Sequence, residues 1–277
     1  MRTTQSPSQA IGNTHSVATH FTAAAERYDA HASVQKTVAK RLIRMTARSP
    51  APQRILEIGC GSGQLTRELL DVFPAASVDA IDLSAKMIQQ AQCRLPRHGR
   101  VNWAVADAAT YQPAVAYQLI ASSSCLHWSI PLEGTLQNLA SLLDVGGRLL
   151  CSVMLRGTLA ELHAARLRVA PAKPPLAQLP DAEFVCRALG DTRLKIQEGA
   201  EQSLTAHYRS AGEFLRSIHR QGLTGGDVSR ASAPLNRSQI AALERDYDDH
   251  YRDDRGLVTA TFRVLYLSAT SPAPFTG

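Results

Sequence analysis

Three carboxylates in the first half of the chain stand within or just after apolar runs, in positions where they can bind a polar ligand. Glu57, Asp82 and Asp107 each belong to a different run. A carboxylate accepts hydrogen bonds from two hydroxyl groups at once, which a neutral side chain does less well. Asp82 also follows the last of three glycines by about 20 residues, the spacing at which an acidic residue binds ribose hydroxyls in doubly wound folds. The acidic residues therefore predict a site for a ligand that contains a ribose.

Glycines at alternate positions, Gly59, Gly61 and Gly63, join the first apolar run to a helical pattern. Glycine lets the backbone turn sharply and leaves room for a ligand against the main chain. The spacing G-x-G-x-G places the third glycine one residue too early for the dinucleotide fingerprint G-x-G-x-x-G. A strand, a glycine turn and a helix make the opening unit of a doubly wound sheet. A nucleotide site of another kind stays open as an alternative at this point.

The elements that must position these residues alternate along the chain. Strand patterns occupy 55–58, 77–83, 101–108, 117–128 with its loop, 146–153, 193–198, 203–208 and 257–267. Helical patterns occupy 34–45, 64–72, 84–91, 133–143, 158–163, 181–189, 211–221 and 238–252. Ser84 is the predicted cap of its helix, and Thr158 with Glu161 forms a predicted capping box. Because ligands bind at the carboxyl ends of the strands in such sheets, His127 and Trp128 are expected near the ligand. The alternative for this pair is an apolar wedge beside a surface histidine.

Two of these stretches resemble sequence motifs of a known protein family. Residues 57–63 follow E/D-x-G-x-G-x-G and residues 82–87 follow D-x-S-x-x-M, and both resemble motifs of class I S-adenosylmethionine-dependent methyltransferases. The resemblance implies a Rossmann-like α/β fold, a doubly wound and mostly parallel sheet of seven strands, with S-adenosyl-L-methionine as cofactor. The residues that it implies for cofactor binding are Gln35, Glu57, Gly59, Gly61, Gly63, Asp82, Leu83, Met87, Asp107, Ala108 and Ser124.

The same resemblance implies a division of roles. The glycine loop passes under the methionine part of the cofactor, and Glu57 orders the site around it. Asp82 accepts from the ribose hydroxyls, while Asp107 accepts from the adenine amino group beside a backbone contact at Ala108. Met87 packs near the adenine in this interpretation, although ordinary packing of a helix on a sheet accounts for it equally well.

Two motifs outside the cofactor region indicate one subfamily of these methyltransferases. Residues 21–35 follow F-x(6)-Y-[DE]-x-x-A-x-x-Q, and residues 157–163 follow G-[ST]-L-x-E-L-H. Together with the helix end at 217–222 and the strand around 259–266, they are similar to the malonyl-acyl-carrier-protein O-methyltransferases, which open pimelate assembly in biotin synthesis. The similarity covers residues 20–268. The chain departs from it in the loop 225–234 and in the polar N-terminal extension.

This closer resemblance implies transfer of a methyl group to the free carboxylate of a malonyl thioester on acyl-carrier protein. A malonyl carboxylate is already ionised near pH 7, so the displacement needs no general base. Catalysis would rest on alignment and on removal of water from the nucleophile. The residues expected to hold the carboxylate are Tyr28, His127, Arg156 and His219. Two alternatives are a methyltransferase of a free small acid or other metabolite, and a non-catalytic S-adenosylmethionine-binding protein.

The composition limits the remaining function classes. The chain of 277 residues is 44% hydrophobic and carries a net charge of +6, without a dense basic block interleaved with aromatics. We therefore expect no nucleic-acid partner and no membrane span. The charge suits an acidic carrier protein, whose expected contacts are Arg156, Arg166, Arg168, Lys173, Arg216 and Arg220. Five scattered cysteines without a CxxC pair favour reduced thiols, and no metal site is expected.

The domain organisation follows from these patterns. Residues 1–18 are polar and are expected to form a disordered tail, and residues 19–277 are expected to form a single methyltransferase domain. Within that domain, 19–48 is the predicted helical lid, whereas 156–190 and 209–252 are the predicted helical segments on the substrate side. The N-terminus has no apolar segment of the secretory type. A cytoplasmic enzyme that acts as a monomer is the resulting expectation.

Overall fold

The apolar runs of the sequence form the strands of one sheet. The computed structural model describes residues 7–46, 50–95, 99–174, 179–223 and 234–272, with the side chains of 7–15 excepted. Its strands are β1 (Arg54–Ile58), β2 (Ser77–Asp82), β3 (Val101–Val105), β4 (Tyr117–Ser123), β5 (Leu143–Met154), β6 (Lys195–Tyr208) and β7 (Val258–Thr270).

Helices connect and cover these strands. They are α1 (Pro7–Ala24), α2 (Tyr28–His31), α3 (Ser33–Arg44), α4 (Gln64–Val72), α5 (Ala85–Arg94), α6 (Leu132–Ser141), α7 (Ala160–Val169), α8 (Ala182–Gly190), α9 (Ala211–Arg220) and α10 (Arg237–His250). A 3₁₀ turn, Leu126–Trp128, follows β4. Ser84 caps α5 as predicted, because its hydroxyl accepts from the Met87 N–H.

The strand order is β3-β2-β1-β4-β5-β7-β6. Strands β1 to β5 are parallel, and β7 runs antiparallel to both β5 and β6. The predicted doubly wound, mostly parallel sheet of seven strands is therefore confirmed. Its order reverses between β1 and β4, and such a reversal opens a crevice at the carboxyl ends of the strands. The fold thus places Gly59, Asp82 and His127 around one crevice.

Helices bury apolar faces on both sides of the sheet. Val38 and Leu42 of α3 belong to the core on one side, which also contains Leu69. On the other side, Leu136 and Leu139 of α6 pack with the sheet. Parallel strands buried on both faces require such continuous apolar runs, so β1 could be recognised from its sequence alone.

Two predictions about individual segments differ from the structure. The expected disordered tail 1–18 is helical from Pro7 onward, and residues 1–6 lie outside the described residues. Proline is favourable at a first helical position, and the helix is held by Val17 and Ala24, which are buried. The strands expected at 193–198 and 203–208 form the single strand β6. β6 is an edge strand that pairs along its length with β7. Its exposed face accommodates polar residues, which interrupt the apolar strand pattern in the sequence.

One ionisable side chain lies in the centre of the sheet. Glu57 of β1 is 1% exposed, and its Oε2 has no hydrogen-bond partner among the described residues. Burial, which Thr66 partly offsets and to which the charge of Asp82 adds, raises the pKa of the Glu57 carboxyl to about 8. The carboxyl is therefore mostly protonated in the folded protein near pH 7, which avoids an unpaired buried charge.

A pH-dependent loss of stability follows from this proton. The folded carboxyl keeps its proton up to about pH 8, whereas the unfolded one loses it near its ordinary value of about 4.3. Between these values the unfolded state binds fewer protons, so this group lowers the free energy of unfolding as the pH rises. From pH 5 to pH 8.5, the wild type should lose about 2–4 kcal/mol more than Glu57→Gln in urea unfolding. Parallel pH profiles of the two proteins would contradict the assignment.

Candidate active site

A cavity of about 1280 Å³ lies at the crevice above the carboxyl ends of the strands. Gly59 and Gly61 enter its wall after β1, Asp82 after β2 and Ser124 after β4. The wall continues over β5 and β7, where α7, α9 and α10 close it. A cavity at this reversal of strand order is where doubly wound folds bind ligands.

The glycine loop is shaped by two different needs. A Cβ on Gly59 would lie 2.2 Å from the Cys125 Sγ, and the Gly59 φ is +66°, so no other residue fits there. A Cβ on Gly61 would meet nothing within 4 Å, and this glycine leaves the main chain open towards the cavity. Gly63 packs on α5, where its Cβ would lie 3.2 Å from that of Ala91, and it is not part of the described cavity wall.

Asp82 holds the loop from the neighbouring strand. Its Oδ2 accepts from the Gly61 N–H at 2.9 Å, and its Oδ1 accepts from the Ser84 N–H at 2.8 Å. Burial raises the pKa of the Asp82 carboxyl, while these backbone donors lower it. Asp107 also faces the cavity, and its Oδ1 accepts from the Ala109 N–H at 2.9 Å. Both carboxylates retain further lone pairs for a ligand.

The other residues predicted to bind the cofactor divide into two groups. Those in the cavity wall are Gln35, Leu83, Met87, Ala108 and Ser124. Met87 is 1% exposed and also belongs to the packing of α5, so the two interpretations of this residue do not exclude each other. Glu57, by contrast, lies beneath the loop and not in the described wall. Glu57 in β1 and Gly63 against α5 thus lie outside the described cavity wall, and their roles at the cofactor stay predictions.

The wall fits S-adenosylmethionine. Gln35 Oε1 and Ser124 Oγ are buried without a hydrogen-bond partner among the described residues, and buried polar atoms in native proteins normally have one. Two carboxylates, Asp82 and Asp107, suit both the hydroxyls and the positive charge of such a cofactor. Apolar side chains around Met87 offer a surface for a purine. The open main chain at Gly61 leaves space for the ligand to pass close to the loop.

Three of the four predicted catalytic residues meet in this cavity. Tyr28, His127 and His219 line it. Arg156 does not, because its guanidinium lies outside and pairs with Asp181 at 3.2 Å, with 60% of the side chain exposed. The prediction for Arg156 was therefore wrong.

His127 is a neutral donor in this wall. It is buried, not at the surface, and burial lowers the pKa of its imidazole to about 3. The Met154 backbone N–H donates to its Nδ1 at 3.5 Å, so the proton of the neutral ring is assigned to Nε2. Tyr28 is likewise protonated, since burial and then the charge of Asp82 raise the pKa of its phenol.

Sequence reasoning missed two residues of the wall, His163 and Arg166 of α7. Arg166 had been expected on the surface as a carrier contact. The two residues are three apart on one helix and share a face with Leu159 and Leu162. This spacing was visible in the sequence, but the direction of the face depended on how α7 packs.

Two side chains of the 157–163 motif fix that packing. The predicted capping box is wrong, because Thr158 donates to Arg263 O at 3.1 Å and accepts from its N–H at 3.0 Å. Glu161 accepts from the Thr261 hydroxyl and N–H at 2.5 and 3.3 Å. Both side chains bind β7 instead of the helix end, and they aim His163 and Arg166 at the cavity.

Other kinds of site receive no support within the described ranges. No group of three or more histidine, cysteine or acidic side chains is arranged there to hold a metal ion. In the same part of the chain, no helix combines the length and apolar character that crossing a membrane requires. The five cysteines are unpaired.

Comparison with known proteins identifies the family. A methyltransferase domain model matches residues 56–149. A malonyl-[acyl-carrier protein] O-methyltransferase of Acetivibrio thermocellus is 30% identical over 90% of this chain and 91% of its own. The enzyme of the same name from Halalkalibacterium halodurans is 29% identical over 90% of this chain and 95% of its own.

Solved structures support the fold. The N-methyltransferase NodS of Bradyrhizobium japonicum, in complex with S-adenosyl-L-homocysteine, is 18% identical with a TM-score of 0.56, and the match covers 94% of this chain and 99% of NodS. The YcgJ protein of Bacillus subtilis has a TM-score of 0.61 at 14% identity, over 85% of this chain and 98% of its own. With the glycine loop, Asp82 and Asp107 around one cavity, the chain is an S-adenosylmethionine-dependent methyltransferase and belongs to the malonyl-[acyl-carrier protein] O-methyltransferase family.

Proposed function

We propose that the protein transfers a methyl group from S-adenosylmethionine to the free carboxylate of a malonyl group carried as a thioester by acyl-carrier protein. The similarity to malonyl-[acyl-carrier protein] O-methyltransferases supports this substrate. The observation that carries the proposal is a cation, Arg166, in the wall of the cavity where the surroundings are otherwise mostly apolar. Such a place suits a ligand with a carboxylate on a short carbon chain.

Arg166 has capacity for an anionic ligand. Its Nε donates to Lys173 O at 3.0 Å, and no carboxylate of the described residues pairs with its guanidinium. Burial lowers its pKa, yet arginine keeps its charge in proteins. A guanidinium with free Nη groups can bind a carboxylate through two parallel hydrogen bonds. Arg166 thus takes the role that the sequence had suggested for Arg156.

Neutral donors complete the proposed carboxylate site. Tyr28 and the Nε2–H of His127 can each donate without adding charge. His163 beside Arg166 is also neutral near pH 7, because burial and then the Arg166 charge lower its pKa. His219 stands at the exposed rim. The donors would orient the carboxylate, while the apolar wall excludes water from it.

The cofactor end is assigned to the loop side of the cavity. When bound there, S-adenosylmethionine supplies an activated methyl group on a sulfonium. Asp82 and Asp107 would accept from its hydroxyl and amino groups, and Met87 would pack against its purine. No residue has to remove a proton, because a malonyl carboxylate is ionised near pH 7.

The carrier protein needs a docking surface near the rim. Of the predicted contacts, Arg156 and Arg168 are neutralised by Asp181 and Asp246. Lys173 donates to Pro234 O and Gln239 Oε1. Of the predicted contacts, those that remain exposed without a carboxylate partner among the described residues are Arg216 and Arg220.

Arg216 and Arg220 lie four residues apart on α9, on either side of the rim residue His219. We assign this exposed face of α9 as the carrier contact. We further assign 19–48 as the lid of a single methyltransferase domain. The enzyme is proposed to act in the cytoplasm, where unpaired cysteines persist. The loop 225–234, where the chain departs from the resemblance, lies almost wholly outside the described residues.

The substrate assignment is tested by direct competition of acceptors. Purified enzyme with methyl-labelled S-adenosylmethionine should label malonyl-acyl-carrier protein with a kcat/KM well above that for malonyl-CoA or free malonate. The label should be released by base as expected for a methyl ester. Equal use of a free diacid would favour a small-molecule methyltransferase, and binding of the cofactor without any labelled product would favour a non-catalytic protein.

The carboxylate site is tested with two arginines that the structure separates. Arg166→Gln should lower kcat/KM for malonyl-acyl-carrier protein about 30-fold or more, equal to about 2 kcal/mol, because a charge-assisted pair is lost. Arg156→Gln is the matched control, since its ion pair with Asp181 is exposed, and it should stay within about twofold. Affinity for the cofactor should be unchanged in both. A larger effect at Arg156 than at Arg166 would contradict the site.

The docking face is tested by charge reversal. Arg216→Glu with Arg220→Glu should raise the KM for malonyl-acyl-carrier protein about tenfold at low salt and reduce its salt dependence, while the KM for S-adenosylmethionine is spared. Arg193→Glu with Lys195→Glu changes the charge equally at the start of β6, the end of that strand farthest along the chain from α9. If both pairs act alike, the contact reflects net charge and not the α9 face.

A further inference from the structure

We propose that Asp29 is a positioning residue that latches the N-terminal helices onto the glycine loop, and that cofactor affinity depends on this latch. Asp29 is the acidic position of the 21–35 motif, which by itself gives it no part in the cofactor site. The inference rests on the assignment of the chain as an S-adenosylmethionine-dependent methyltransferase and not on the identity of the methyl acceptor.

The carboxylate of Asp29 joins three separate elements. Its Oδ1 accepts from the Ser62 hydroxyl at 2.7 Å and from the Gln64 Nε2 at 2.6 Å, and its Oδ2 pairs with the Arg94 guanidinium. Ser62 belongs to the glycine loop, Gln64 is the first residue of α4 and Arg94 is the last residue of α5. A single side chain of α2 therefore holds the loop and both flanking helices.

The latch is largely removed from water. The Asp29 side chain is 13% exposed and that of Arg94 is 33% exposed, while Ser62 is 1% exposed. A carboxylate at such a site is stable only when its donors are in place. The closed position of α2 and the observed shape of the loop therefore require each other. This mutual requirement is what couples the lid to the cofactor site.

The residue next to Asp29 lies over the cavity. Tyr28 lines the wall and packs edge-on against Phe21, with ring centroids 6.2 Å apart. Phe21 in turn packs edge-on against Trp128 at 5.7 Å. A second attachment, between the hydroxyls of Thr22 and Ser84 at 2.7 Å, ties α1 to the cap of α5. Releasing Asp29 would free Tyr28 and disturb the contact of Phe21 with Trp128.

Loss of the Asp29 contacts would lower the fraction of molecules in which the lid is closed. If the closed lid is the state that binds the cofactor well, the apparent dissociation constant rises by the factor by which the closed population falls. Loss of an ion pair and two charge-assisted hydrogen bonds should reduce that population to about one tenth. Saturating cofactor should restore closure, so the KM for S-adenosylmethionine should change more than kcat.

The experiment uses binding and fluorescence of the full chain. Trp103 and Trp128 are the tryptophans of the chain, so Trp103→Phe leaves Trp128 as the reporter of the aromatic contact. In that background, Asp29→Ala should bind S-adenosylhomocysteine about tenfold more weakly. Its Trp128 emission should differ from the parent without ligand and return to it at saturation. Glu26→Gln, an exposed carboxylate three residues earlier without a described partner, is the matched control and should match the parent.

A second variant keeps the test decisive if Asp29→Ala folds poorly. Arg94→Met removes the same ion pair from α5 and should weaken binding in the same direction. The double variant should lose less than the product of the two single effects, because both act through one pair. Affinity of Asp29→Ala within twofold of Glu26→Gln, or independent effects of Asp29 and Arg94, would overturn the proposal. Because the readout uses no methyl acceptor, failure of the malonyl assignment would leave this result unaffected.

Discussion

The site depends on the two hydrogen bonds that the Asp82 carboxylate accepts from the Gly61 and Ser84 N–H groups. They join the loop after β1 to the end of β2, across the point where the chain turns to meet a ligand. The loop can make this turn because Gly59 has a positive φ and passes too close to Cys125 for any side chain. Glu57 lies two residues before Gly59, in β1, as a buried and mostly protonated carboxyl. The same carboxylate that shapes the loop also presents lone pairs to the cavity.

The cavity is electrostatically divided. Asp82 and Asp107 make the part above β2 and β3 negative, whereas Arg166 makes the part closed by α7 positive. A cationic methyl donor and an anionic acceptor would each be attracted to its own side, and low exposure strengthens both attractions. His127 stays neutral because burial lowers its pKa to about 3. It can therefore donate a hydrogen bond without competing with Arg166 for the acceptor.

Patterns confined to one element were predicted well. The apolar runs of β1 and β2, the glycine spacing and the Ser84 cap are local, since each is set by neighbours in the chain. Predictions that assumed a local partner were less reliable. Thr158 and Glu161 have the spacing of a capping box, yet they bind β7 about a hundred residues later. Polar residues near the start of the chain suggested disorder, but packing of Val17 and Ala24 holds them in α1.

The sequence by itself determined the class of fold and the residues of the glycine loop, because spacing along a strand, turn and helix fixes their geometry. The type of cofactor was indicated by the resemblance of its motifs to those of class I methyltransferases. Only the tertiary structure decided which cations face the cavity. Arg156 and Arg166 have the same chemistry and lie ten residues apart, but one pairs with Asp181 outside and the other lines the wall. The difference arises from the rotation of α7, which is set by its bonds to β7. Asp29 likewise gained its partners Ser62, Gln64 and Arg94 only when the folded chain brought three elements together.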